Sequence, residues 1–198
     1  IGGSFTLMNP LLSTNMNGTG TYGNPFTPGN EQAALTQAFI EYQYKNIVNA
    51  DIGYIGINNS PWLSGSYYNN MISVPVTYQG AMVNVYPGGG WLLTALAFNG
   101  IQTSGQQGYS GETLYNSAFG SNYQTNDAAS NGTVALGANY TAWDNNYNLR
   151  LWGYQFDNYG TMLYGDTSIK IPLNDTVKLN FAAQGGTDNS FGSNTAFT

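Results

Sequence analysis

The charged residues of this sequence are few, and their types limit the chemistry that they can perform. Among 198 residues there are 10 Asp or Glu, 4 Lys or Arg, and neither His nor Cys. The usual general base, the thiol nucleophile and the thiolate and imidazole metal ligands are therefore missing. The sequence predicts no catalytic site, metal site or cofactor, and we do not expect an enzyme. A Ser–Lys pair is the nucleophile arrangement that residue types leave open.

Two carboxylates in neighbouring segments are the acidic groups that could act together. Glu41 and Asp51 lie on the polar faces of two strand-like segments joined by a short link. Lys45 shares the polar face of Glu41, so these groups either line an aqueous pore or form a purely structural ion pair. Other Asp residues fall in or beside predicted turns, where Asp is favoured by local backbone hydrogen bonds, and we do not interpret them as paired acids for glycoside hydrolysis.

The segments that carry these residues alternate between apolar and polar side chains. In the clearest one, Val177, Leu179 and Phe181 share one face and Lys178, Asn180 and Gln184 share the other. Successive strand side chains point to opposite faces, so the pattern predicts two-faced β-strands. Eight strands are predicted, at residues 37–45, 47–57, 74–86, 91–99, 132–142, 147–157, 161–171 and 176–186. A further short strand is possible near residues 4–12.

The composition indicates which solvents meet the two faces. Charged residues make up 7% of the chain, against about 25% in soluble domains. Aromatic residues make up 15%, and such rings collect at the membrane interfaces of outer-membrane barrels. The pattern favours an all-β, antiparallel transmembrane β-barrel, with a soluble β-sandwich as the alternative. The net charge of −6 disfavours nucleic-acid binding.

The spacing of the strands predicts a single barrel domain over residues 1–198, with short turns alternating with long connections. The long connections are expected at about 58–73 and 100–131, and parity places both at the same end of the barrel. This asymmetry is typical of short periplasmic turns and long external loops. Ile1–Ser4 lacks the basic and apolar parts of a signal peptide, so we expect a mature or truncated product.

Three strings of the sequence resemble the OprD-type outer-membrane porins: Gln37–Asn46, Ile57–Trp62 and Met71–Ala81, followed by Leu149–Tyr154. The resemblance covers roughly residues 30–186 and implies a barrel of about 18 strands, of which this chain supplies a part. Either the chain closes as a small barrel or residues are missing at both ends, and the resemblance favours missing residues. The chain departs from the family where Gly53-Tyr54-Ile55 replaces a Gly-Arg-Gln, so an arginine of the basic pore ladder is lost.

From these observations we predict a porin in the outer membrane of a Gram-negative bacterium. Its water-filled channel would pass small polar solutes or cations by passive diffusion, and outer-membrane lipid would surround it. The porin could also form a homo-oligomer or a larger membrane assembly. The alternative to a porin is an extracellular structural or adhesive β-protein, such as a surface-layer or fibre subunit. Trp152 is a further candidate for an apolar contact in the lumen. The predicted pore-lining residues are Glu41, Gln43, Lys45, Asp51, Arg150 and Lys178, and the predicted lipid-facing residues are Ile40, Tyr42, Ile52, Tyr54, Leu136, Ala138, Leu179 and Phe181.

Overall fold

The computed structural model of the chain describes residues 2–8, 32–63, 76–102, 131–174 and 176–190. These residues form one antiparallel sheet in which every strand pairs with the next along the chain. No helix in the described ranges is long and apolar enough to cross a membrane. The nine strands are β1 (Gly2–Met8), β2 (Gln32–Tyr44), β3 (Val48–Ile55), β4 (Thr77–Gly88), β5 (Trp91–Gln102), β6 (Thr133–Ala142), β7 (Tyr147–Phe156), β8 (Gly160–Pro172) and β9 (Lys178–Ser190).

The eight predicted strands are confirmed, and the possible strand near residue 4 is present as β1. The described residues form a single sheet with no second sheet packed on it, so the β-sandwich alternative is wrong for this part of the chain. The main differences lie at the strand ends. Strand β2 begins five residues earlier than predicted, and β5 continues to Gln102 into the predicted long connection.

Short turns join the strands at one end of the sheet, called here the turn end. The link between β2 and β3 is Lys45–Ile47, and β6 and β7 are joined through Trp143–Asn146. Between β4 and β5 the chain turns through Gly88, Gly89 and Gly90, with φ angles of 97°, 61° and 86°. Such positive φ angles favour glycine. A Cβ on Gly90 would also meet the carbonyl oxygen of Thr141.

The opposite end of the sheet, called here the loop end, carries the two long connections. Strands β3 and β5 end there and strands β4 and β6 start there, because consecutive strands are antiparallel. The strand ends that bound the two long connections lie at the same end of the sheet, as strand parity predicts. Residues 64–75 and 103–130 of these connections lie outside the described residues.

The two faces of the sheet differ in exposure. One face, called the outer face, carries large apolar side chains that are open to the surroundings, such as Ile40 at 61% and Leu136 at 63%. The other, called the inner face, is largely covered in its central part and carries most of the core. The buried apolar residues of that core are Ile55, Ile57, Leu63, Tyr78, Met82, Leu96, Phe98, Ile101, Ala135, Trp152, Tyr154, Phe156, Tyr159 and Met162.

A cluster of aromatic rings lies at the turn end of the outer face. The ring centroids of Trp91 and Tyr140 are 4.7 Å apart, and those of Tyr140 and Tyr147 are 6.0 Å apart. Trp143 extends the cluster from the turn, with its centroid 5.6 Å from that of Tyr147. Amphipathic rings in such a row suit a membrane interface, where the ring contacts lipid and the polar atom meets headgroups.

Candidate functional site on the inner face

A segment that follows β3 lies across the inner face of the sheet. It comprises residues 56–63 and is called here the covering segment. Its apolar residues Ile57 and Leu63 are each 1% exposed, so they are part of the buried core. The sequence analysis predicted this stretch only as the start of a long connection. The structure shows that it folds against the wall.

Asn59 fastens the covering segment to the wall. Its Nδ2 donates hydrogen bonds to Asn84 Oδ1 at 2.9 Å and to Thr94 Oγ1 at 2.7 Å. Its carbonyl oxygen accepts a hydrogen bond from Asn139 Nδ2 at 3.4 Å. Strands β4, β5 and β6 therefore all hold the same residue. Thr94 also donates to Asn84 at 2.7 Å, so the polar side chains form a small network below the segment.

A second fastening lies on β7 and on the remainder of the covering segment. The hydroxyls of Ser60 and Tyr154 are 2.9 Å apart, and both residues are buried. Ser60 Oγ also accepts a hydrogen bond from the backbone N–H of Leu63 at 3.3 Å. The Tyr78 hydroxyl donates to the Leu63 carbonyl at 2.9 Å. Buried hydroxyls paired in this way hold the segment in one position.

Three inner-face aromatic residues of β7 lie stacked beneath the covering segment. The ring planes of Trp152 and Tyr154 differ by 17°, and those of Tyr154 and Phe156 by 10°. Trp152 Nε1 donates to Asn139 Oδ1 at 2.9 Å. The interpretation of Trp152 as an apolar contact in the lumen is wrong for this arrangement, because its side chain faces inward but is 3% exposed. Trp62, at the far end of the segment, stays partly open and packs edge-on against Tyr164.

The two predicted acidic residues lie side by side on the inner face. Glu41 of β2 is directly opposite Asp51 of β3 in the register. Asn49 Nδ2 donates to Glu41 Oε1 at 2.9 Å, while the Oδ1 atoms of Asn49 and Asp51 are buried without a hydrogen-bond partner. Lys45 lies in the turn beyond β2, and its ammonium group is 5.4 Å from the centroid of the Tyr44 ring. The single ion pair of the described residues does not include Glu41 or Lys45.

The inner face of β7 to β9 carries basic residues and their partners. Arg150 Nε lies 2.9 Å from both carboxylate oxygens of Asp166, which forms an ion pair between β7 and β8. The Arg150 side chain is 43% exposed, whereas that of Asp166 is 15% exposed. Lys178 lies on the same face by register, two residues from Asn180, which pairs with Lys170.

These placements leave unequal charges along the wall. The positive charge of Arg150 is offset by Asp166, whereas Glu41 and Asp51 repel each other across a strand pair. No group of three or more Asp or Glu residues in the described ranges has a geometry for a metal ion. Sequence reasoning missed Asp166 and the polar residues that hold the covering segment, although the string Asn59-Ser60-Pro61-Trp62 marked the position of the segment.

No family model and no curated protein sequence matches the chain. Solved structures do. The chain superimposes on Pseudomonas aeruginosa OccK2 (OpdF), solved with glucuronate, with a TM-score of 0.68 and 19% identity, covering 84% of this chain and 41% of that one. The sheet has the OprD-type porin fold. P. aeruginosa OpdK with vanillate also has this fold, with a TM-score of 0.61 and 20% identity over 74% of this chain and 35% of that one. For Acinetobacter baumannii OccAB1 the TM-score is 0.59 and the identity 18%, over 75% of this chain and 31% of that one.

The OprD-type fold confirms the predicted class, an antiparallel barrel wall of the kind found in 18-stranded porins. The chain spans roughly a third to two fifths of the length of the structures that it matches. Identities of one fifth or less carry the fold and not the solute, because one fold can host different functions through different site residues.

Proposed function

We propose that the chain forms part of the wall of an outer-membrane channel through which small polar solutes and cations diffuse passively. The observation that carries this proposal is the two-faced wall. Ile52 and Leu136 on the outer face are at least 60% exposed, and in water such a continuous apolar surface would be unfavourable. In a membrane the same surface meets lipid, and the charged residues of the inner face meet water.

The same observation disfavours an extracellular structural or adhesive protein. A surface-layer or fibre subunit would expose the outer face to water, and it would stay soluble without detergent. The neighbouring structures with this fold are channels and not enzymes. Two of them hold glucuronate and vanillate, which are small carboxylated solutes. For this chain we propose no catalysis. We also propose that its basic residues attract carboxylated solutes only weakly, because the charge of Arg150 is already offset by Asp166.

Within the channel, we propose that Glu41 and Asp51 favour cations over anions. They are adjacent, they lie on the inner face, and no ion pair of the described residues neutralises either one. Fixed charges at the wall of a narrow lumen raise the local concentration of counter-ions. The covering segment strengthens this cation preference, because it narrows the lumen and so keeps permeating ions closer to the charged wall.

The test is the cation-to-anion permeability ratio of the full-length protein in a planar bilayer. The double variant Glu41→Gln and Asp51→Asn should lower the ratio and leave a folded barrel. The effect should shrink at high salt, because the Debye length falls from about 10 Å at 0.1 M to about 3 Å at 1 M. Asp144→Asn removes an acidic charge from a turn and serves as the control. An unchanged ratio in the double variant at low salt would remove these two residues from the selectivity mechanism.

A further inference from the structure

The outer face ends differently at its two ends. The turn end carries the aromatic cluster, whereas the loop end carries amides and a carboxylate on four neighbouring strands or their ends. The exposed members are Gln79 of β4, Asn99 of β5, Asn131 before β6 and Gln155 of β7, with Asp157 half-buried after β7. The two ends of the outer face therefore present different hydrogen-bonding groups to the headgroups that they meet.

Directly below this polar rim the outer face has a groove. Ala81 and Ala97 lie opposite each other in the register, flanked by Ile52 on one side and Val134 on the other. The two small side chains form the floor, and the two larger ones, 60% and 51% exposed, form the walls. The open groove has a volume of about 670 Å³, and Gln79, Asn99, Asn131, Gln155 and Asp157 also line it. The groove is therefore apolar toward the membrane centre and polar toward the loop end.

Part of the rim is held in place by its own hydrogen bonds. Asp157 Oδ2 accepts hydrogen bonds from the backbone N–H of Asn131 at 2.7 Å and from its Nδ2 at 3.0 Å. The N–H of Asp157 donates to the Gly132 carbonyl at 3.0 Å. Gly132 has a φ of 118°, and a Cβ there would meet the Phe98 carbonyl oxygen. Asn131 and Asp157 are thus held in a fixed position beside the groove.

The charge of the rim indicates the headgroup that it fits. None of the four basic residues of the chain lies there, because Lys45 is at the turn end and Arg150, Lys170 and Lys178 are on the inner face. A phosphate headgroup would meet Asp157 without a cation to pair with it. Hydroxyl groups can both donate to the carboxylate and amide oxygens and accept from the amide nitrogens. A sugar headgroup presents many hydroxyl groups in a compact space.

We propose that this groove binds a membrane glycolipid, with its sugar headgroup on the amide rim and an acyl chain along Ala81 and Ala97. This inference rests on the proposed function, which places the outer face in a membrane, and on the predicted topology in which the long connections are external. It goes beyond that function, because it assigns to the outer face a lipid site that takes no part in solute passage.

The test is native mass spectrometry of the full-length protein in detergent with two probes of equal acyl chains. One probe is a diacylglycerol that carries a disaccharide headgroup, and the other is phosphatidylglycerol. The protein should retain the disaccharide lipid in preference to phosphatidylglycerol. The double variant Asn99→Ala and Gln155→Ala should weaken retention of the disaccharide lipid about tenfold, since it removes two hydrogen-bonding side chains. The inner-face pair Gln43→Ala and Asn180→Ala is the matched control and should retain the lipid.

A third variant, Ala97→Leu, fills the floor of the groove without removing a polar group and should also reduce retention. Equal retention of both lipids, or full retention in Ala97→Leu, would overturn the proposal, as would a second copy of the chain occupying the groove. Conductance of the same preparations is recorded in parallel. Normal channels without a preference for the disaccharide lipid would refute this inference alone, whereas absent channels would refute the proposed function.

Discussion

Replacing Asn59 by leucine should release the covering segment from the wall. The substitution keeps the side-chain size and removes the two hydrogen bonds that Nδ2 donates to Asn84 and Thr94, at 2.9 Å and 2.7 Å. Asn84 and Thr94 remain bonded to each other at 2.7 Å, so neither becomes an isolated buried group. At about 1 kcal/mol net for each lost hydrogen bond, the free energy that holds the covering segment on the wall falls by about 2 kcal/mol. Its released population should therefore rise roughly 30-fold.

Hydrogen exchange at the Leu63 amide reports this release. That N–H donates to Ser60 Oγ at 3.3 Å within the covering segment, so it exchanges when the segment opens. In Asn59→Leu its exchange should accelerate about 30-fold, and single-channel conductance should increase because the inner face is uncovered.

The neighbouring Asn58 provides a matched control. Its side chain is exposed, so Asn58→Leu should change neither quantity. Equal exchange rates in Asn59→Leu and the unaltered protein would refute the role of Asn59. Faster exchange with unchanged conductance would show that the covering segment does not limit the channel.

Three further predictions concern the same wall. Tyr154→Phe removes the hydroxyl that contacts Ser60 at 2.9 Å and should weaken the covering segment by about 1 kcal/mol; a double-mutant cycle with Ser60→Ala should show that the two losses are not additive. Leu136→Arg, mid-strand on the outer face, should cost about 2–4 kcal/mol of unfolding free energy in lipid, whereas Leu179→Arg should cost about 0–1 kcal/mol; equal costs would contradict the assigned depths. Protease added to intact cells should leave the turn at residues 45–47 uncut, and cleavage there would reverse the proposed topology.

The expected costs at Leu136 and Leu179 differ because the two residues lie at different depths along the sheet. Leu179 is the second residue of β9 and pairs with Ile171, close to the turn end. Alternation identifies the face of a residue, because a strand has a period of two. It does not give the depth, which depends on where the strand begins and on its tilt.

The predicted wall was obtained from sequence because its pattern is local, and all eight predicted strands are present. Lys45 was misplaced on the strand because β2 ends one residue earlier, and Lys45 takes a φ of 49° in the turn. The covering segment could not be predicted from local pattern. Its contacts join residues far apart in the chain, with 94 positions between Ser60 and Tyr154 and 80 between Asn59 and Asn139.

The central claim is that water lies along the inner face and lipid along the outer face. The chain has no Cys, so a single introduced thiol can report on each face. Ser168 and Leu163 lie on the inner and outer faces of the same strand, β8. In a planar bilayer, a charged methanethiosulfonate reagent should reduce the current of the Ser168→Cys protein in steps and leave the Leu163→Cys protein unchanged. An unchanged current with Ser168→Cys, or equal labelling of both proteins in liposomes, would contradict the claim.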